Sequence, residues 1–302
     1  MESDEHVLFV TGITGRAGGA AAEQLLNEGH TVRALVRDDV KAARWLEQGV
    51  DVRQGELTDG TAFAAALEGV DGAFVMQPTP IGVTPDFGEA RALNAGLRDA
   101  LRQSPPPRVV ALSSVGSEQT RGLGNITQTH LMEEVLGDLP CSTALVRAGG
   151  FIENNLGALG RAQTDGVFDS FLQPTNVAFP MVATKDIGQQ VARLLLSDWN
   201  GTKVVELGSL VSPDDLARAM GEVLGRDVRA SAIPREEWET RLLNMGLPAD
   251  TIGPWTEMQD GFNSGLIHFG VPGTEAVSGT TTPTQVFAQA RRTRDPGQAD
   301  RS

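Results

Sequence analysis

The sequence predicts an α/β protein: a doubly wound parallel sheet followed by a smaller, mixed α/β C-terminal region. Three observations carry this. Short β-branched runs alternate with helix-length stretches through the first half of the chain, a glycine-rich turn joins the first run to the first helical stretch, and the rhythm loosens beyond residue 150. Strands separated by helix-length crossovers form βαβ units, which bury a parallel sheet between two helical layers.

Taken in order, the apolar run Val7–Val10 reads as a strand, 17–28 as a helix, Thr31–Val36 as the second strand and the alanine-rich 40–48 as a helix. The alternation continues with a strand at 50–52, a helix at 61–67, a strand at 72–76 and a helix at 87–102. A fifth strand at 108–112, a helix at 128–136 and a sixth strand at 142–146 complete one expected domain over residues 1–155. Beyond it, 186–196 reads as an amphipathic helix and 203–207 as a strand, so the stretch 184–208 is expected to return to the main domain. Ser212 is placed to cap a helix over Pro213–Leu224, followed by a strand at 228–233 and helical segments at 236–244 and 255–265. Trp238, Trp255, Phe262 and Phe269 supply apolar bulk to this 156–290 region, either lining a pocket or filling a core. Residues 291–302 are polar and read as a frayed tail.

Composition removes several function classes. The 302 residues carry 25 Lys+Arg against 39 Asp+Glu, a formal charge of −14, which repels nucleic acid and anionic lipid; no basic stripe overrides it. A single cysteine excludes an intramolecular disulfide and a cysteine zinc cluster, and no His/Asp/Glu grouping has metal-ligand spacing. An acidic N-terminus without a signal-peptide pattern, and the lack of a long apolar run, predict a cytoplasmic protein with no membrane span. Tyrosine is absent altogether.

The turn Thr11-Gly12-Ile13-Thr14-Gly15-Arg16-Ala17-Gly18-Gly19 sits between the first strand and the first helix. Its G-x-x-G-x-x-G spacing suits a dinucleotide: Gly12 for the tight turn, Gly15 for close approach of backbone N–H groups to a pyrophosphate, Gly18 for helix–strand packing. Thr14, Arg16 and Ala17 belong to the same expected contact. At the end of the second strand, where NAD-binding chains place an acid for the ribose hydroxyl, stands Arg37; it suits a 2′-phosphate and favours NADP(H) over NAD(H). The alternative is that Asp38 or Asp39 holds the ribose. In Gly55-Glu56-Leu57-Thr58-Asp59, Leu57 and Asp59 are expected beside the adenine, unless Thr58 or Asp59 is only the cap of the next helix. Met76, Gln77 and Pro78 follow the fourth strand at the carboxyl edge of the sheet, beside the nicotinamide ribose.

The T-G-x-T-G-x-x-G turn at 11–18, Gly55-Glu56-Leu57-Thr58-Asp59, Leu112-Ser113-Ser114-Val115-Gly116, the stretch from Arg147 through Gly149 and Phe151 to Asn154, and Val182-Ala183-Thr184-Lys185-Asp186-Ile187 occur in an order that resembles the short-chain dehydrogenase/reductase superfamily, more closely its atypical NmrA-like branch. That resemblance implies a Rossmann-type fold and adds Ser113, His130, Gly149 and Phe151 to the expected cofactor contacts. It includes quinone and azo-compound reductases as well as regulators that bind the dinucleotide without catalysis. The superfamily's Tyr-x-x-x-Lys pair falls here on Ile126 and His130, with Glu134 one turn further on. Usual alcohol–ketone chemistry therefore lacks its proton relay. Ser114, His130 and Asn154 remain as catalytic candidates, with Glu134 placed at i+4 to orient the imidazole. Three readings stay open. One is NADP(H)-dependent reduction of a small electrophile such as a quinone, imine or azo compound, which needs hydride and little acid assistance. Another is a redox sensor that regulates a protein partner, and the third a non-redox biosynthetic enzyme on the same fold. The sequence assigns no oligomeric state.

Overall fold

The computed structural model describes residues 5–37, 39–80 and 82–294. Its first part runs β1 (Val7–Val10), α1 (Arg16–Asn27), β2 (Thr31–Val36), α2 (Asp39–Glu47), β3 (Asp51–Gln54), α3 (Gly60–Leu67), β4 (Gly72–Val75), α4 (Gly88–Gln103), β5 (Arg108–Ser114), α5 (Thr127–Leu136) and β6 (Ser142–Ala148). The second part holds β7 (Gly150–Phe151), α6 (Leu159–Asp165), β8 (Val167–Ser170), β9 (Phe179–Val182), α7 (Thr184–Leu196), β10 (Thr202–Leu207), β11 (Ser209–Val211), α8 (Pro213–Leu224), β12 (Arg229–Ala232), α9 (Trp238–Asn244), α10 (Ile252–Asn263), β13 (Glu275–Val277) and α11 (Pro283–Arg294).

Eight strands form one sheet in the order β13-β10-β6-β5-β4-β1-β2-β3, and every pairing in it is parallel. Strand alternation sorts the core into two layers. Leu8 and Val10 of β1 face α1, α2 and α7, joining Leu25, Trp45 and Val191; Phe9 between them faces α3, α4 and α5, joining Phe63, Leu97 and Met132. The chain proceeds outward from β1 to β3, then crosses back to β4 on the other side. This reversal opens a crevice beyond the carboxyl ends of β1 and β4, the position where doubly wound sheets take ligands.

The C-terminal region adds a three-stranded sheet, β11-β9-β7, and a two-stranded one, β12-β8, over a separate core that includes Ile152, Phe168, Leu216, Met220 and Phe287. The α8 helix starts as its sequence dictates. Ser212 and Asp215 form a reciprocal capping box, with proline in the first turn. Elements α6, β8, β9, β13 and α11 go beyond the sequence reading, and α11 runs through Arg294, past the start of the expected tail; residues 295–302 lie outside the described residues. Buried Asp186 explains how the late segment is held. Its carboxylate accepts the N–H groups of Thr280 and Thr281 at 3.0 Å each and both their hydroxyls, bolting 280–281 to α7.

Candidate active site

The glycine turn occupies the crevice as its spacing requires. Gly12 has φ +63°, a conformation that suits glycine, and an ideal β-carbon there would stand 3.1 Å from the Met76 sulfur. A β-carbon on Gly18 would press into the Gly12 carbonyl and stand 2.6 Å from the Thr11 oxygen, so the first turn of α1 packs directly onto the end of β1. Thr11 ties this turn to the fourth strand. Its hydroxyl accepts the Met76 N–H at 2.7 Å and donates to the Met76 carbonyl at 3.2 Å. At the start of α1, Gly15 provides no side-chain cap and the first turn holds no acid, which leaves its N–H groups to an outside anion. Arg16 is exposed there and reaches the Asn154 side-chain oxygen at 3.5 Å, bringing the turn and the segment after β6 together.

Along the adenine side, Arg37 is exposed just beyond β2 and has no carboxylate partner among the described residues. Asp38 and the side chain of Asp39 lie outside the described residues. Asp59 caps α3: one carboxylate oxygen accepts the N–H groups of Thr61 and Ala62, both at 3.1 Å. Leu57 is half-buried against the α3–α5 layer. Gln77 sends its amide N–H to the Gln128 carbonyl on α5, which also accepts from Asn94 of α4 at 3.4 Å, and its buried Oε1 has no hydrogen-bond partner among the described residues. Gly149 abuts β9, with Met181 N 2.7 Å from its ideal β-carbon position, and Phe151 packs at the edge of the first core layer.

At the other end of the crevice the groups on β5 and α5 turn inward. Ser113 is buried and its hydroxyl donates to Glu133. Ser114 donates to the adjacent Val115 carbonyl at 3.1 Å. His130 Nδ1 lies 2.8 Å from the Ser117 carbonyl, an acceptor only, so Nδ1 carries a proton; Nε2 faces Glu134 Oε1 at 3.7 Å, the expected i,i+4 pair. Ile126, in the position of the superfamily's tyrosine, is 5% exposed in an apolar cluster with Val115, Leu123 and Ile267, covered by Met258, Phe262 and Phe269. Gly124 makes that closure possible. An ideal β-carbon there would lie 2.5 Å from Met258 N on α10.

The structure decides between the two alternatives left open for the C-terminal aromatic residues. Trp238 is fully buried; it stacks edge-on with Phe171 and Trp255 and donates its indole N–H to the Ile233 carbonyl at 2.9 Å, so it is core and lines no open pocket. Phe262 and Phe269 instead cover the Ile126 cluster. One cleft of about 560 Å³ lies between 173–175, β12 and Asn263, and a smaller cavity of about 130 Å³ lies under 279–283 beside Asp186. We place the chemistry at the crevice, because there the turn, the strand ends and α5 converge.

Sequence reasoning missed a charged brace beneath the site. Arg147 of β6 bonds Glu133 of α5 through Nε (3.0 Å) and Nη2 (2.7 Å) and pairs with Glu118 at 3.1 Å. Burial opposes its charge, but the hydrogen bond and field of Glu133, with Glu118 and Glu206 behind, outweigh that and raise the guanidinium pKa. An arginine inside an otherwise apolar strand was the available signal; its partners come from a loop and a helix that only the fold unites. Glu153, next to Asn154, is engaged locally. It accepts the N–H (2.9 Å) and hydroxyl (2.7 Å) of Thr184 at the start of α7, while Asn155 donates to the Ile152 carbonyl, so both serve the local fold.

A parallel doubly wound sheet with this turn at its switch point defines a Rossmann-type, dinucleotide-binding class of protein. The NmrA-like family pattern matches residues 4–266, and the chain belongs to that family. It is 25% identical over 246 residues to quinone oxidoreductase 2 of Escherichia coli (80% of this chain, 83% of that one), and 25% identical over 260 residues to an NAD(P)H azoreductase of Xenophilus azovorans (83% and 86%). Its fold matches the crystal structure of an Escherichia coli NADPH-dependent quinone oxidoreductase complexed with NADPH, with TM-score 0.77, 22% identity, and coverage of 94% of this chain and 99% of that one. Among the described residues no helix is long and apolar enough to cross a membrane, and no group of three or more His, Cys, Asp or Glu is arranged to hold a metal.

Proposed function

We propose that this chain is an NADPH-dependent reductase of small electron-poor molecules of the quinone, imine or azo class. The observation that carries the reading is the contrast at the crevice: the dinucleotide turn is complete, while Ile126 fills the place of the acid that ketone reduction needs. The names of the two relatives support it. The residues fit the cofactor. Uncapped N–H groups at the start of α1 suit the pyrophosphate beside Gly12, Thr14, Gly15, Arg16, Ala17 and Gly18, and Arg37, which meets no carboxylate among the described residues, suits a 2′-phosphate. Met76 and Pro78 would flank the ribose of the nicotinamide half, and His130 Nε2 would accept a ribose hydroxyl. Asn154 would orient the substrate from the far wall.

When bound, the reduced nicotinamide supplies a hydride. The protein would supply orientation and, behind the crevice, the apolar cluster of Ile126, Val115 and Phe269. Purified protein with NADPH is expected to show quinone-, imine- or azo-dependent loss of cofactor absorbance above the uncatalysed rate, with NADH weaker. Background rates with all three acceptors would end this reading.

A further inference from the structure

We infer that the free edge of β12 is a self-association surface, on which a second copy of this chain adds its own β12 antiparallel to make one four-stranded sheet. The ladder itself shows which groups are free. β12 pairs with β8 alone, in parallel, and the bonds at its two ends run from Arg229 N–H to the Gly166 carbonyl (3.0 Å) and from Ile233 N–H to the Ser170 carbonyl (2.9 Å). Along such a strand, residues that bond the neighbour alternate with residues whose N–H and C=O point the other way. Those residues are Ala230 and Ala232, and their main-chain groups have no partner among the described residues.

That edge is within reach. Ala230 and Ala232 line the cleft of about 560 Å³, facing Gln173, Pro174 and Thr175. The facing wall is held in place: Asn263 accepts the Gln173 N–H and donates to the Phe171 carbonyl, both at 2.9 Å, and Asp214 N–H bonds the Thr175 carbonyl at 3.0 Å. No charged side chain lines the cleft, and alanine methyls let a neighbouring backbone approach to the strand spacing of about 4.8 Å. An edge like this templates another strand unless charge, proline or a bulge blunts it; here Arg229 and Pro234 stand only at its two ends.

Charge complementarity selects a second copy as the occupant. The chain carries −14, so two copies repel over most of their surface, yet the stretch 226–237 sets Arg226, Arg229 and Arg235 against Asp227, Glu236 and Glu237 and is neutral. A two-fold axis at Ser231 places Ala230 opposite Ala232 of the second copy, and each such pair exchanges two N–H···O bonds. The same register places Asp227 opposite Arg235 of the second copy, and Arg226 opposite Glu236 of the second copy. Signs are opposite at both positions. Asp227 and Glu236 are exposed and have no ion pair among the described residues, while Arg235 holds Asp260 through Nε and Nη2, which leaves Nη1. Moving the axis one residue on, to Ala232, would set Arg229 against Arg235 and Asp227 against Glu237, so charge also fixes the register.

Sedimentation equilibrium of the full chain between about 1 and 100 µM is expected to show monomer and dimer in exchange. Ala230→Pro removes one outward N–H and spares the bonds to β8, so it should weaken association at least about tenfold with the far-ultraviolet circular dichroism unchanged. Asp227→Arg, at an exposed position, sets arginine against arginine; it should weaken association severalfold at low salt and much less at about 0.5 M salt. Hydrogen exchange keeps the question decidable even where the proline variant does not fold. In the unaltered chain the Ala230 and Ala232 amides should be protected at high concentration and exchange freely on dilution, while the Ile233 amide stays protected at both. A chain that remains monomeric across the range, a dimer indifferent to both substitutions, or Ala230 and Ala232 amides that gain no protection on concentration would each overturn the inference. None of these outcomes bears on the reductase reading.

Discussion

The two ends of the crevice are built by different means. At the α1 end, main-chain groups do the work: a positive-φ glycine, a helix start without a cap, and a β-carbon-free contact between Gly18 and β1. At the α5 end, side chains from β5, a loop, α5 and β6 hold one another through Ser113, Glu133, Arg147 and Glu118. The first end presents donors outward; the second turns its donors inward. A helix start open to an anion thus lies beside an end where Ser113, Ser114 and His130 are engaged internally, which is the difference the proposed chemistry exploits.

The most forceful way to break this contrast is to remove Arg147. Arg147→Ala leaves Glu133 and Glu118 buried without their cation, and losing one partner of a buried pair costs about 3–5 kcal/mol. Urea unfolding should show that loss. Adding Glu133→Leu should recover part of it, because one stranded carboxylate is removed. A loss under about 1 kcal/mol would mean water reaches the brace and that the inward-turned end is not sealed.

Gly18→Ala tests the opposite end. The added methyl meets the Gly12 and Thr11 backbone, which cannot swing aside as a side chain would, so α1 must shift. Overpacking of this kind costs about 1–3 kcal/mol. The distinguishing readout is cofactor affinity: fluorescence titration with NADPH should weaken at least about tenfold, the equivalent of about 1.4 kcal/mol. In Arg147→Ala the same titration should change far less, provided it is made where both variants are folded.

How legible each end was follows from how it is made. The turn, the alternation through β6, and the Ser212 cap are local, so residues adjacent in sequence carry them. Elements β7, β9, β11 and β13 are two to four residues long and exist because a neighbouring strand is present, which no local pattern reveals. The site divides the same way. Gly12, Gly15 and Gly18 were legible, and the His130–Glu134 pair follows from helical spacing. The bond from Gln77 to the Gln128 carbonyl was not legible because that partner lies 51 residues away on another element. Trp238 was left open between pocket and core because hydrophobicity alone cannot tell a core residue from a lining one; its burial settles it as core.

A smaller effect sharpens the α1 end further. Arg37 is exposed and has no carboxylate among the described residues, so Arg37→Ser should leave stability within about 0.5 kcal/mol. The NADPH-to-NADH affinity ratio should fall about tenfold, since a charge-assisted bond to a phosphate is worth about 1.5–3 kcal/mol and exposure trims it. An unchanged ratio would assign the 2′-phosphate to Arg16 instead.

The smallest effect lies outside both ends and serves as their control. The Ser212 hydroxyl, then the Ser212 N–H, holds the Asp215 carboxyl below its ordinary 3.8, with partial burial opposing and Arg218 assisting. A carboxyl lowered in the folded state stabilises the protein fully above the unfolded value, and that contribution is lost as pH falls through the folded one. Ser212→Ala should therefore cost about 1 kcal/mol near neutrality, as loss of a helix cap does, and the gap to the unaltered chain should narrow only below about pH 4, where Asp215 takes up its proton. Cofactor titration should be unaffected at neutral pH, because α8 packs chiefly on α6, α11, β8 and β12; a change there would show that the C-terminal region sets the geometry of the crevice.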